Sequence, residues 1–297
     1  VCDSVELIGE NKGLAQRAID LINKDIKNIG LRALVNKTDL QKINEYHIGF
    51  VIGPCINASG RLDTVENAVK VMISDNKQEI ELAVMSLENL NKIRQELCAE
   101  IFNQADKMAE KCHDNIIVLF NKDWHIGIIG IVASKIVEKY GKPTFMMTYS
   151  EETQQYRCSA RGVEGCEEFS LYDVIANISD KLDGFGGHAL AAGLYFSEEK
   201  SSFEEVKKAL IDSYNQITNS AKLTPVINID LEITPDEITE DLVKDISRLE
   251  PFGASNPAPL FAVKDFKLVE KKLMGSKQEH LRLTVDKDGY IFNAILI

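Results

Sequence analysis

From Asn76 to His113 the chain contains neither glycine nor proline. Apolar residues recur through this stretch at steps of three and four, as at Ile80, Ala83, Val84, Leu87, Leu90, Leu97, Ile101 and Ala105. That spacing predicts one helix over 76–113, with Asn and charged residues on its other face. A packed core helix is the simplest role for such a pattern. A helix of about 35 residues, however, spans ~50 Å at 1.5 Å per residue, which is long for one globule. The segment is therefore expected to connect two domains. The full length of 297 residues also exceeds what one hydrophobic core usually organises, so two or three domains are expected.

The regions on either side differ in texture. Before the long helix, Val1 to Ile8 reads as the end of a strand followed by a turn at Gly9 to Lys12. Leu14 to Ile26 and Val65 to Ile73 have helical spacing. After it, Asn115 to Phe120 is a short β-branched run, then comes a helical stretch Gly127 to Tyr140, then Pro143 to Thr148. This reads as a β-α-β unit and implies a parallel or mixed sheet. Tyr156 to Arg161 and Ala192 to Phe196 add strands; Leu171 to Ile178 and Phe203 to Ile217 add helices. Beyond residue 223 the pattern changes again. Val226 to Leu231 reads as a half-buried strand, and a short helix follows at about Asp241 to Leu249. Pro251, Gly253, Pro257 and Pro259 then break the chain. Closely spaced strands at Leu260 to Val263, Phe266 to Leu273, His280 to Val285 and Tyr290 to Ile297 suggest a small barrel, cut off within its last strand.

Composition narrows the class. Hydrophobic residues make up 44% and charged residues 27%, as in ordinary globular proteins. No apolar run approaches the ~18 residues of a membrane helix, and no signal peptide is visible at the start, so no membrane partner is expected. The chain begins with Val1 rather than Met, which reads as a fragment. Six scattered cysteines without a Cys-x-x-Cys pair argue against a zinc ribbon and fit a reducing cytoplasm. The net charge of −12 is opposite to that of a general nucleic-acid coat. Any contact with nucleic acid must therefore be local.

Several constellations could carry chemistry. In Gly184-Phe-Gly-Gly-His-Ala-Leu-Ala-Ala-Gly193, Gly186 and Gly187 let the backbone turn tightly and offer amides to an anion. His188 follows them and can donate to a phosphate. A plain glycine turn with a satisfied histidine fits equally well. In Arg157-Cys-Ser-Ala-Arg161, a strand would put Arg157, Ser159 and Arg161 on one face. Two guanidiniums and a hydroxyl there suit phosphate; a solvated face paired with Glu164, Glu167 and Glu168 is the alternative. In Gly53-Pro-Cys-Ile-Asn-Ala-Ser-Gly-Arg61, turn signals at Gly53-Pro54 and Ser59-Gly60 suggest a loop. Asn57 and Arg61 are the groups in it that could meet a phosphate. His125 lies where a strand hands over to a helix, a site that attracts anions, whereas Gly127, Gly130 and Ala133 read as close helix packing. Asp3, alone near a strand end, is by itself a solvated turn residue. Residues 264–282 carry Lys264, Lys267, Lys271, Lys272, Lys277 and Arg282 against three acids. This excess suits a strand-binding face or a merely solvated barrel surface.

Taken in order, these segments resemble the RecJ family of the DHH phosphoesterases. Asn57-Ala-Ser-Gly-Arg61, Trp124-His to Ser134, Ser159-Ala-Arg161, Gly184 to Gly193, and Leu249-Glu-Pro-Phe-Gly to Pro259 each match a family motif, and together they cover nearly the whole chain. The resemblance implies an α/β protein made of the tail of a DHH domain (1–75), a connecting helix (76–113), a mixed-sheet DHHA1 domain (114–222) and a truncated oligonucleotide-binding (OB) type barrel (223–297). It implies a 5′→3′ single-strand DNA exonuclease of repair and recombination, located in the cytoplasm. Its partners would be single-stranded DNA, a single-strand-binding protein and a helicase. His188 would be catalytic. Asn57, Arg61, His125, Ser159, Arg161, Gly186 and Gly187 would join it in holding phosphates. Val1-Cys-Asp-Ser-Val resembles a metal-binding motif of the family, which makes Asp3 one ligand of a two-metal Mn²⁺ or Mg²⁺ centre. The family's other metal motifs are absent here, so the fragment alone is expected to be inactive. Cys55 stands where the family often has Arg. The rival readings are a phosphodiesterase of the same superfamily for short oligonucleotides or cyclic dinucleotides, a non-catalytic single-strand-binding module, and, more remotely, a tRNA-editing domain.

Overall fold

The structure is a computed structural model, and it describes residues 5–38, 40–166, 169–275, 278 and 280–296. In chain order the helices are α1 (Gly9–Lys24), α2 (Ile29–Val35), α3 (Glu45–His47), α4 (Gly53–Leu62), α5 (Glu66–Ile73), α6 (Lys77–Ala109), α7 (Ile126–Tyr140), α8 (Leu171–Ala176), α9 (Phe203–Thr218) and α10 (Glu240–Ser247). The strands are β1 (Ile117–Phe120), β2 (Thr144–Ser150), β3 (Gln155–Arg161), β4 (Gly184–Gly187), β5 (Ala191–Ser197), β6 (Leu231–Glu232), β7 (Phe261–Ala262), β8 (Lys267–Met274), β9 (His280–Lys287) and β10 (Tyr290–Leu296). The described residues fall into two compact units. One draws on 1–26, 41–49 and 228–297, the other on 27–40 and 50–227.

The larger unit is organised by α6 and a five-stranded sheet of order β1-β2-β3-β5-β4. β1 and β2 are parallel, and every other pair is antiparallel, which gives the mixed sheet expected. Helices cover both faces, and the strand sequences show why. Ile117, Leu119 and Met146 point to one side, where they pack with α7 and the C-terminal half of α6. Val118, Phe145 and Met147 point to the other side, under α8 and α9. Alternation with both faces apolar is the mark of a strand buried on each side.

α6 is as long as its sequence predicts. Asn76 caps it, accepting from the amides of Gln78 and Glu79. Its first half buries Ile80, Ala83, Val84 and Leu87 in the part of the unit built by α2, α4 and α5. Its second half buries Cys98, Ile101, Ala105 and Ala109 beside the sheet. One helix thus serves two successive layers of the same unit.

In the smaller unit β8, β9 and β10 form an antiparallel meander, and β6 pairs with β7. The strands are not closed into a barrel, which agrees with the partial OB-type fold expected. The Pro-Gly-rich lead-in is a compact turn. Asn256 Nδ2 donates to the carbonyls of Leu249 and Pro251. Leu7, almost fully buried, donates its amide to Ala254 O at 2.7 Å. Gly253 has no room for a side chain, because a Cβ there would lie 2.6 Å from Leu7 Cδ1.

Four local expectations are corrected. The turn expected at Gly9 to Lys12 is the first turn of α1, and residues 5–7 form no strand. Gly53-Pro54 and Ser59-Gly60 lie inside α4, not in a loop; Pro54 occupies the first turn, where a missing N–H costs nothing. The strand expected at Val226 to Leu231 shrinks to Leu231–Glu232, since only that pair finds a ladder partner, in β7. Gly184–Gly187 is not a free turn but the edge strand β4, paired with β5.

Candidate nucleic-acid interface

The site grows from the register of β3. Met146 on β2 faces Ser159, and Ser159 faces Gly193 on β5, which in turn faces Gly186 on β4. Paired residues share a face. Ser159 and Arg161 therefore point to the α7 side, while Cys158 and Ala160 enter the opposite core. α7 can lie this close because Gly130 has no side chain. A Cβ there would stand 2.7 Å from Ser159 Oγ and 2.9 Å from Arg161 Nη2. The guanidinium is fixed from below, where Arg161 Nη1 donates to Ser159 Oγ at 3.1 Å and to Ala160 O at 2.8 Å.

Arg61 reaches the same place from α4. Its Nη1 donates to Gly127 O at 3.2 Å. Its own carbonyl sits where a Cβ on Gly127 would be, 2.2 Å away. Gly127 and Gly130 are thus contact glycines, one for each arginine. Burial pushes the Arg161 guanidinium below its ordinary value, and the positive charge of Arg61 pushes it the same way. Among the described residues no carboxylate pairs with Arg61 or Arg161. Two neighbouring guanidiniums, one of them largely buried and neither neutralised, form a locus for an anion.

The other expected site residues fall at different distances from this centre. Asn57 is exposed on α4, one turn before Arg61. His125 is the N-cap of α7, and its Nδ1 accepts from the Gly127 amide at 3.1 Å. It therefore completes the helix start beside Arg61's anchor. Gly186 lies on the α7-side face, in open space. Gly187 has φ of +137° and backbone atoms of Ala191 and Ala192 within 2.5 Å of a would-be Cβ, so the strand end requires glycine. His188 is exposed at the corner of the β4–β5 hairpin, its amide donating to Ala191 O at 2.8 Å. The hairpin tip is tied down, since Leu190 O accepts from Gly162 and Ala189 O from Leu171. Asp3 lies outside the described residues. Among the described residues no three His, Cys, Asp or Glu side chains come together as a metal site. Cys55 is buried in α4 and its thiol is pushed up to about 11, chiefly by burial, so it is an inert core group.

The basic cluster of 264–282 does not share one face. Lys267, Lys272 and Arg282 lie on one side of the meander by register, and Lys271 on the other. Lys264 pairs with Glu232. Lys277 lies outside the described residues. Arg282 is held by Asn293 Oδ1, which accepts from its Nε and Nη2. Tyr195 had no place in the sequence-based site. Arg157 was noted as sharing a face with Ser159, but the pairing of β3 with β5 that brings Tyr195 beside it is a long-range register that no local pattern prints.

A mixed sheet covered by helices on both faces, with an arginine pair at one of them, and a separate antiparallel meander define a protein of the DHHA1 class with an OB-type module. Residues 113–218 match the family model for the DHHA1 domain, and residues 229–296 match that for the RecJ OB domain. The chain is similar to the RecJ family over nearly its whole length. It is 28% identical over 293 residues to the single-stranded-DNA-specific exonuclease RecJ of Bacillus subtilis, covering 97% of this chain and 36% of that protein. It is also 28% identical over 312 residues to the RecJ of Escherichia coli, covering 99% and 52%. The chain thus spans about a third to a half of the length of these relatives. A crystal structure of RecJ with Mg²⁺ from Thermus thermophilus superposes with a TM-score of 0.82 at 22% identity, covering 99% of this chain and 49% of that one. It shares the fold. No helix among the described residues is long and apolar enough to cross a membrane.

Proposed function

We propose that this chain is the strand-holding part of a 5′→3′ single-strand DNA exonuclease acting in repair and recombination. The observation that carries the reading is the pair formed by Arg61 of α4 and Arg161 of β3, brought together beside Ser159 with no carboxylate paired to them among the described residues, outside which Glu167 and Glu168 lie. A terminal phosphate supplies the missing negative charge, and Asn57, His125 and the Gly186-Gly187 strand end line its approach. His188, exposed at the hairpin corner, is assigned the catalytic role toward the scissile phosphodiester. The domain reading of 1–75, 76–113, 114–222 and 223–297 belongs to the same proposal. So do a cytoplasmic location and working partners in a single-strand-binding protein and a helicase.

Relatives have been crystallised with Mg²⁺ and with Mn²⁺, and Asp3 is proposed as one ligand of such a metal pair. The described residues do not assemble a metal site, so no step is routed through a metal here. What this chain's own residues do is orient. The arginines fix the strand end beside Ser159.

The test is anisotropy of a labelled, 5′-phosphorylated single strand titrated with the protein. Arg161→Ala is expected to weaken binding about tenfold, the scale of one lost charge-assisted contact. Its salt dependence should also fall by about one counterion. Wild-type affinity in that variant would refute the reading. Equal affinity for a dinucleotide and for a long strand would favour the short-oligonucleotide phosphodiesterase instead.

A further inference from the structure

The α7-side face of the sheet extends past Arg161 toward the β4 edge, and there it carries a second group that the phosphate clamp leaves unused. Arg157, Tyr195 and Gly184 form one row across β3, β5 and β4. The Arg157 guanidinium lies over the Tyr195 ring at 4.8 Å from its centroid. The ring in turn leans across Gly184, where a Cβ would lie 2.5 Å from both Cζ and the hydroxyl oxygen of Tyr195. Any side chain at 184 would push the ring away. Among the described residues the Arg157 side chain has no ion pair. Its planar cation is thus held by a ring on one side and, among the described residues, has no carboxylate partner. In the next row toward Arg161, Gly193 and Gly186 carry no side chains, and the space over Gly186 is open.

We infer that Arg157 stacked on Tyr195 is a base-stacking platform for an inner nucleobase of the strand whose end lies at Arg61, Ser159 and Arg161. This rests on the single-strand reading above and assigns it a second subsite. A guanidinium plane and a phenol ring are surfaces on which any base can stack, which gives affinity without sequence preference. Arg157 lies four residues from Arg161 along β3, about 14 Å at ~3.4 Å per residue. That equals about four nucleotides of a stacked strand at ~3.4 Å each, and fewer if the strand is extended. The platform therefore reads the second to fourth base.

The experiment is an abasic scan. A 5′-phosphorylated single strand carrying one abasic site at each position in turn is titrated against wild type, Tyr195→Phe, Tyr195→Leu and Arg157→Gln. Melting curves of each variant confirm folding. In the wild type, one abasic position between the second and fourth is expected to weaken binding about tenfold, the scale of one lost base stack. Tyr195→Phe should keep that dip, while Tyr195→Leu and Arg157→Gln should bind the intact strand about tenfold more weakly and show no dip. Binding that persists with a flat scan, or a dip unchanged in Tyr195→Leu, overturns the platform and leaves the phosphate clamp standing. No binding by the wild type overturns both.

Discussion

Gly127 and Gly130 sit one turn apart on the same face of α7, yet alanine should cost very different things at each. At Gly130 the new methyl meets Ser159 Oγ at 2.7 Å and Arg161 Nη2 at 2.9 Å, both ends of side chains that can swing. Helix propensity contributes up to about 1 kcal/mol in favour of alanine. The lost Arg161–Ser159 hydrogen bond costs about as much. Stability should stay within ~1 kcal/mol of wild type. The guanidinium is displaced from its seat, however, and single-strand binding should fall about tenfold. At Gly127 the methyl meets Arg61 O at 2.2 Å and Arg61 C at 3.0 Å, which are backbone atoms at the end of α4. The two helices must separate, at an overpacking cost of roughly 3 kcal/mol. A net loss of about 2 kcal/mol remains after the propensity gain. Scanning calorimetry should show the larger unit melting several degrees lower in Gly127→Ala and near the wild-type temperature in Gly130→Ala. Anisotropy should show weakened binding in both. A Gly127→Ala protein that melts with the wild type, or a Gly130→Ala protein that binds as tightly, would refute the assignment of these glycines as seats for the two arginines.

Three further outcomes follow from local geometry. Gly187→Ala should destabilise by about 2 kcal/mol, because φ is +137° and Ala191 O lies 2.4 Å from the new Cβ. Gly186→Ala, in open space, should change thermal stability little, and equal melting of the two variants would contradict the strand-end geometry. Gln104 Oε1 accepts from Trp124 Nε1 at 2.8 Å and from Asn121 Nδ2 at 3.3 Å. Gln104→Leu leaves the buried indole N–H unpaired at a cost of about 1–3 kcal/mol. Since Trp124 is the one tryptophan of the chain, its fluorescence maximum should shift as the loop before α7 loosens; an unchanged spectrum and unchanged stability would sink that account. Burial pushes the Asp106 carboxyl up, but hydrogen bonds from Lys139 and Tyr140 together outweigh it and leave its value below normal. A carboxyl lowered in the folded state stabilises fully above its unfolded value and loses that contribution as pH falls through the folded one. Unfolding free energy should therefore decline in this acid range, and Asp106→Asn should flatten the decline; an identical pH profile for both proteins would rule the contact out as its source.

The elements that were legible in the sequence are those whose signal is local. The glycine- and proline-free run of α6 prints its own periodicity. The strands β1, β2 and β3 show in their β-branched and aromatic runs. Arg157, Ser159 and Arg161 share a face simply because strand side chains alternate. Local signals also misled in places. Gly53-Pro54 and Ser59-Gly60 look like turns, but the first turn of a helix tolerates proline and helix contacts can require glycine. The glycines of β4 look like a free turn, but pairing with β5 makes them an edge strand.

The chemistry was less legible, because its parts are distant in sequence. Arg61 and Arg161 are 100 positions apart, and only the seating of α4 and α7 through Gly127 and Gly130 brings their charges together. Tyr195 meets Arg157 only through the β3–β5 register. By itself, then, the sequence determined the long helix α6, the β1-α7-β2 unit and which side chains of β3 share a face, since these follow from periods of 3.6 and 2. The tertiary structure alone decided which faces meet. Registers and helix contacts depend on close approach between distant residues, and at Gly127, Gly130 and Gly184 that approach is possible because no side chain stands in the way.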